Sequence, residues 1–495
     1  MTTPTYPGVY VIELQSSLHP ITGVSTSTTA FVGSAAQGPV NDPQTCNSWS
    51  DFVTIFGGLW PDSQMSYAVY QFFQNGGSAA VVVRVATSTA SAAAIDLGNG
   101  VKLDAASPGA WGASLQASVD HNTSDPADPT LWNLTVQNTA TGATERYLNI
   151  STNTTSAKSL ANVLQASSLV VPDSTAALNQ RPAAAQGIAA TGGDDGGMIG
   201  DADIDPASGS GGIHALGTVD IFNILCIPAP QPGTDLGSNT LDDAVELCVT
   251  RRAMLLVDPP FAWNSVAEAV TGMATPLITG PKAANAAMYF PRITVPDPLT
   301  GAMTTYSSCG AIAGIWASTD SQRNVWKAPA GTSASLPGGT TLPVQMTDAQ
   351  NGDLNPLGLN CLRNFPVIGP VVWGARTLRG ADVMEDQWKY VPVRRTALFI
   401  EESLRRGTQW AVFEPNAEPL WASIRLNVGA FMAGLYRQGA FVGSTPDQAY
   451  LVKCDSENNP PTQTALGILN ILVGFAPLYP AEFVFISIEQ LVGQG

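Results

Sequence analysis

A strand, a helix and a strand in immediate succession force a parallel sheet, because only a crossover returns the chain in the same direction. Residues 219–257 carry that pattern. Val219–Ile227 reads as a strand, Asp242–Arg252 as a helix, and Ala253–Val257 as a second strand closed by Asp258-Pro259-Pro260. A helix near Ser265–Met273 and a strand near Ala287–Val295 repeat the unit. Upstream, Thr29–Gly33 reads as a strand. From Ser63, a helix cap, Met65, Ala68, Val69, Phe72 and Phe73 share one face until Gly76-Gly77, and Ala79–Val85 is an apolar run fit for a buried strand. A chain of 495 residues exceeds one core, so the expectation is a multidomain fold of mixed α/β type.

Between about 87 and 215 the pattern breaks. This stretch is rich in Ala, Ser, Thr, Gly and Asp and holds 4 basic residues against 12 acidic ones. Alternation at Trp132–Gln137 predicts hairpins, so 87–215 is expected to be an inserted, solvent-facing, mostly β domain with a flexible loop at 192–212. Residues 329–355 are Pro- and Gly-rich and read as a loop or boundary. Beyond it, Pro366–Trp373 is strand-like, Glu401/Arg405 and Glu402/Arg406 are spaced as i,i+4 helix pairs, and Leu420, Ile424, Val428, Phe431 and Leu435 mark one face of a helix stopping at Gly439. Val9–Leu14 and the alternating run Glu482–Val492 place strand-grade segments near both ends.

Charge narrows the function. With 22 Lys+Arg against 39 Asp+Glu the net is −17, the wrong sign for binding nucleic acid or an anionic membrane surface. The start, MTTPTYPGVYVIEL, has neither a basic nor a long apolar region, and the apolar runs fall short of a membrane span, so the expectation is a cytoplasmic product with no direct membrane insertion. Six scattered cysteines without a C-x-x-C pair, and three scattered histidines, argue against zinc.

Motifs of catalysis are missing. There is no GxxxxGK[ST], no GxGxxG opening a helix after a strand, no HExxH and no GxSxG. Asp194, Asp195, Asp201, Asp203 and Asp205 suggest a calcium loop, but Pro206 stands where glycine is wanted and no glutamate follows, so a solvated acidic loop is the better reading. Trp49, Phe52 and Phe56 at helical spacing read as core before ligand pocket. The basic concentration over 376–453 reads as interface ion pairs before a phosphate site. No catalytic, cofactor or metal residue is assigned, and a ligand-binding α/β enzyme of unknown reaction stays the alternative class.

Several runs carry a resemblance. Tyr6-Pro7-Gly8-Val9-Tyr10-Val11, Pro20–Ser27, Ala30-Phe31-Val32-Gly33, Phe56-Gly57-Gly58 and Gln71–Gly77 resemble the tail sheath proteins of contractile phages and related contractile injection systems. So do Val325–Ala330, Leu354–Asn360, Val372–Leu378 and Trp388–Arg395. The fullest likeness runs from Phe399-Ile400-Glu401-Glu402-Ser403-Leu404 through Gly407–Trp410, Phe413–Asn416 and Pro419-Leu420-Trp421 to Pro480–Val484. It spans about 1–86 and 216–495; the insert carries none of it.

The resemblance implies a structural subunit and no enzyme or cofactor. Such subunits stack as hexameric rings around an inner tube and shorten together, driving the tube through a target envelope. Implied partners are further copies of the chain, the inner tube protein, and baseplate and tail terminator proteins. The implied location is a virion tail or extracellular injection particle, assembled in the bacterial host cytoplasm. The implied organisation is an arm and strand at 1–25, a middle α/β domain from 26–86 and 216–350, the outer insert 87–215, an inner C-terminal α/β sheath core at 351–480 and a linker strand at 481–495. Val9, Tyr10, Val11, Ile12, Glu13 and Leu14, with Val484, Phe485, Ile486, Ser487 and Ile488, are the strands expected to exchange between subunits, since unpaired edges need partners. Glu401, Glu402, Arg405, Arg406 and Arg425 are expected to face tube or neighbour. Cys46, in a polar Gln-Thr-Cys-Asn-Ser stretch, is the candidate for an inter-subunit disulfide.

Overall fold

The computed structural model describes residues 19–485. Two compact units emerge among the described residues: 25–395, and 396–485 together with the arm 19–24. The division falls inside the helix Val391–Gly407.

The larger unit is built on an eight-stranded sheet. Its order is Gly369–Val372, Asn360–Phe365, Ala286–Phe290, Met254–Val257, Ile224–Cys226, Thr29–Gly33, Ala80–Arg84 and Gln44–Cys46. The six inner strands run parallel and the two edge strands antiparallel. Parallel strands must be covered on both faces, and these are: Thr29–Gly33, Ala80–Arg84, Met254–Val257 and Ala286–Phe290 are buried at every position. The helix Gln64–Gln74 starts where expected, with the Ser63 side chain accepting from the Ser66 N–H. It packs on Cys309–Arg323, a helix buried around most of its circumference and so without an amphipathic stripe to betray it. Close approach explains Gly310, where a Cβ would stand 2.1 Å from the Ala68 carbonyl oxygen.

Several expectations need adjustment. The strand expected over 219–227 is only Ile224–Cys226, and 287–295 divides into Ala286–Phe290 and Ile293–Pro296, the latter in a hairpin with Met303–Tyr306. Pro366–Trp373 is a hairpin turn followed by Gly369–Val372, whose partner Asn360–Phe365 was not read as a strand. That hairpin joins the central sheet beside Ala286–Phe290, although the sequence reading placed it in a 351–480 inner domain.

The insert folds as two four-stranded antiparallel sheets between Ser91 and Asp194 around its own core, with Trp132, Leu134, Val136, Leu103 and Ile150 at its centre. Its expected flexible loop 192–212 holds structure: Thr191–Asp194 is a strand paired to Ser91–Asp96, and Asp201–Ile204 is a helical turn. Arg84 joins insert to sheet. Buried at the end of Ala80–Arg84, its guanidinium donates to the carbonyls of Ala35, Gly38 and Pro108. Burial, partly offset by Asp195, lowers its pKa to about 10, so it stays charged at neutral pH.

One interior charge pair is expensive to break. Arg395 meets Asp320 through two hydrogen bonds of 2.9 and 2.6 Å, both side chains almost fully buried, and its guanidinium lies 4.7 Å from the Trp316 ring. Removing one partner strands the other charge in a dry interior. Arg395→Met should therefore cost about 3–5 kcal/mol. Combining it with Asp320→Leu should recover most of that loss, and urea denaturation of the three variants against the parent checks both statements.

Candidate assembly interface

The smaller unit carries the run of family-like motifs from Phe399 to Trp421, and its interior is simple. Ile424, Val428, Met432 and Leu435 on the helix Glu418–Arg437 face inward, where Leu398, Ile400, Ala440 and Phe441 are also buried. Onto this the N-terminal arm is laid. His19 stacks on Trp410 with ring centroids 4.1 Å apart and donates its backbone N–H to the Asn427 side chain at 3.1 Å. Val24 N–H donates to the Ser403 hydroxyl at 3.2 Å. Gly23 lies so near the Phe399 ring that a Cβ would stand 2.8 Å from it. The arm motif Pro20–Ser27 and the motif at 399–410 thus read each other.

Next to these helices is a sheet of only two strands. Tyr450–Lys453 pairs antiparallel with Leu472–Phe475. Its inner face meets Phe441, whose ring lies 6.3 Å from Tyr450 and 5.6 Å from Phe475. On the other face Leu451 and Leu472 are about half exposed. An isolated pair of strands is marginal in water, and each strand leaves a row of backbone groups on its outer side. The strand edges are short and uncovered by any third strand among the described residues.

The expected exchange strands fall partly out of view. Val9, Tyr10, Val11, Ile12, Glu13, Leu14, Ile486, Ser487 and Ile488 lie outside the described residues. Val484 and Phe485 are described, stand exposed and belong to no strand.

The expected pair Glu402/Arg406 is present, and Arg405, three residues from Glu402, joins it. Arg405 and Arg406 both converge on Glu402, Arg405 through two bonds of 2.6 and 2.7 Å and Arg406 at 2.7 Å. The Glu402 carboxylate is nearly buried while Arg405 is about half exposed, so one acid anchors two cations. Arg405's hydrogen bonds hold the Glu402 carboxyl down at about 2, against the upward push of burial and with help from Arg406. Arg425 is bound within the unit, to Glu418 at 2.6 Å and to the Cys454 carbonyl. Glu401 is on the exposed side of the helix.

Cys46 is not in a loop. It ends the edge strand Gln44–Cys46 and is completely buried, and burial with nearby Asp51 pushes its thiol up to about 12. Such a thiol reaches no neighbouring chain without local unfolding, which removes the reason for expecting a cross-link there. The other five cysteines are buried and unpaired as well. Phe52 and Phe56 are core, with Trp49 stacked on Phe52. The acidic residues of 194–205 are spent on separate local tasks: Asp195 accepts from Ala110 N–H, Asp201 from Gly237 N–H, and Asp205 meets His214 at 3.0 Å.

Two measurements check this description. Ellman's reagent should label the native protein slowly and all six thiols at once in denaturant; one fast thiol in the native state contradicts the burial of the cysteines. For Glu402 the folded pKa is depressed, so its contribution is present above the ordinary glutamate range and lost as pH falls toward about 2. With the arginines partly solvated, that contribution is about 2 kcal/mol. Glu402→Gln should therefore lower the protection of Glu418–Arg437 against hydrogen exchange at pH 7, with the gap to the parent closing between pH 4.5 and 2.

Comparison with known proteins completes the picture. Residues 210–378 match the phage tail sheath protein central domain and residues 384–490 the phage tail sheath C-terminal domain, together more than half of the chain. A prophage major tail sheath protein of Pseudomonas aeruginosa is 27% identical over 237 residues, which cover 47% of this chain and 56% of that one. The tail sheath protein of Vibrio phage KVP40 is 26% identical over 152 residues, 30% of this chain and 21% of that one. The chain therefore spans about half, or less, of the length of these relatives. Among solved structures, the sheath complex of the extracellular contractile injection system PVC in its contracted state shares the fold, with TM-score 0.60, 21% identity and 99% of both chains covered. The sheath tail protein of Listeria innocua gives TM-score 0.62 at 14% identity over 89% of this chain and 91% of that one. On these grounds the chain belongs to the phage tail sheath protein family.

Proposed function

We propose that this chain is the repeating subunit of a contractile sheath. Copies polymerise as stacked hexameric rings around an inner tube and shorten together to drive that tube through a target envelope. The observation that carries the reading is the two-stranded sheet Tyr450–Lys453 and Leu472–Phe475, whose edges no third strand covers among the described residues. Strand addition is the ordinary cure for such an edge, and strand-grade segments lie at 9–14 and 484–488 of the same sequence.

Solved relatives of the same fold include a helical sheath of the anti-feeding prophage in its contracted state and a baseplate of that particle. They support self-assembly and a baseplate as partners; the inner tube protein and a tail terminator protein complete the proposed set. Shortening of this kind is a rearrangement between two packings of the same subunits, so it calls for no catalysis and no cofactor. The particle is a phage tail or an extracellular injection device put together in the bacterial host cytoplasm. Within it, the acidic insert 87–215 faces outward, where like charges repel least.

Deleting residues 1–15 or 481–495 should leave a folded subunit that no longer builds long sheaths, because the ladder bonds between subunits are gone. Ile486→Pro should act in the same direction by removing one donor. Negative-stain microscopy reads the outcome. Sheaths of normal length from both truncations would sink the strand-exchange reading, and discrete particles from the intact chain under all conditions would favour an enzyme instead.

A further inference from the structure

The smaller unit exposes four apolar side chains to water on two segments that one side chain ties together. Val412 is 62% exposed, Phe413 fully so, Leu466 75% and Ile468 43%. They come from two segments more than fifty residues apart, and Asn416 joins them. Its side-chain amide donates to the Ile468 carbonyl at 2.9 Å, and its oxygen accepts from the indole N–H of buried Trp421 at 2.8 Å. Both segments are fixed by their own backbone bonds, from Val412 N–H to Gln409 and from Ile468 N–H to Gln463.

Phe413 is held at φ +70°, in the left-handed region that a side chain with a Cβ rarely adopts. Asparagine or glycine would sit there at little cost; an aromatic ring has no local hydrogen bond to offset about 1–3 kcal/mol of strain. Scattered exposed apolar residues are ordinary, but a rigid, strained cluster that projects a ring outward marks a contact surface.

We propose that Val412, Phe413, Leu466 and Ile468 form a docking knob for a second copy of this chain. This rests on the sheath reading above. Four residues beyond Ile468 begins Leu472–Phe475, the edge strand that on that reading accepts a segment of a neighbour, so the body of that neighbour is brought against the same end of the unit. The chemistry suits a like partner. Copies carrying −17 each repel at a distance, and an apolar cluster with one acid, Glu414, beside it is a surface on which they can close. The chain also supplies complementary groups, since Phe483, Val484 and Phe485 stand exposed on its own C-terminal segment. The same patch offered to copies in series is a heterologous contact, which builds rings and open helices.

The test uses the full-length chain purified alone, so that no tube protein is present. Phe413→Ser and Leu466→Ser are compared with the parent, with Phe413→Leu as the conservative control and circular dichroism melting as the check on folding. Truncating one buried apolar anchor should raise the protein concentration needed for sedimentable polymer by about tenfold. Phe413→Leu should recover most of the parent's behaviour. Should Phe413→Ser unfold, Leu466→Ser alone decides. Unchanged polymerisation of a folded serine variant overturns the proposal, as does a defect seen only when tube protein is added. The deletion 481–495 is run alongside. If it blocks assembly while the serine variants polymerise normally, the knob fails and the sheath reading stands. If the deletion also polymerises normally, strand exchange fails on its own account.

Discussion

A strand at the margin of a sheet must either hide its outward N–H and C=O groups or share them, and that constraint organises this molecule. The central sheet hides them. At one margin, Gly369–Val372 is covered by the segment 331–336: Gly331 N–H donates to Val372, Leu336 N–H to Pro370, and Val372 N–H returns to Ala334. At the other, Gln44–Cys46 is three residues long and antiparallel, too short to template another chain. The two-stranded sheet of the smaller unit is also short, but no third strand covers it among the described residues. One chain therefore closes one sheet and leaves another open.

The residues shared with the family serve as interior pins. Asn360 is completely buried; its amide donates to the carbonyls of Met288 and Arg376, and its oxygen accepts the Arg376 N–H at 2.6 Å. Gly374 leaves room for this, since a Cβ there would meet the Asn360 side chain at 2.8 Å. Arg376, buried in turn, reaches the carbonyls of Asn355 and Gly380 and the Asp382 carboxylate. One network thus fixes segments from 288, 355–360 and 374–382 in register with one another. Breaking any member leaves buried polar groups unpaired, so these residues hold the fold through satisfaction of one another.

How much of this was legible follows from the range of each signal. The helix from Ser63 and the crossover through Met254–Val257 rest on local capping and on apolar runs, and both were readable. Asn360–Phe365 was not, because Asn360, Arg363 and Asn364 interrupt its apolar pattern and its ladder partner Ala286–Phe290 lies some seventy residues away. The helix Cys309–Arg323 shows little periodicity because it is buried nearly all round. In the smaller unit, spacing paired Glu402 with Arg406, as the structure does, but only the fold shows Glu402 turned inward and bound to Arg405 as well. Phe413 was visible in the sequence only as part of a family-like run; its full exposure and its left-handed backbone come from the fold.

The insert shows that assembly and decoration are separately encoded. Its core is its own, with Trp132, Leu103 and Leu134 packed among strands that pair only with one another. It meets the central sheet through Arg84, whose three carbonyl partners come from both sides of the junction: Ala35 and Gly38 on the sheet side, Pro108 on the insert side. Gly38 N–H adds a bond of 3.0 Å to Ser107, and Asp195, just past the strand Thr191–Asp194, lies close enough to moderate the charge. A buried guanidinium shared between carbonyls is directional, so it holds the root of the insert in one orientation while making no demand on the sequence farther out. The sheet, its pins and the open edge can then stay constant while the outer sandwich changes. That separation fits family models that match residues 210–378 and 384–490 and leave nearly all of the insert outside them.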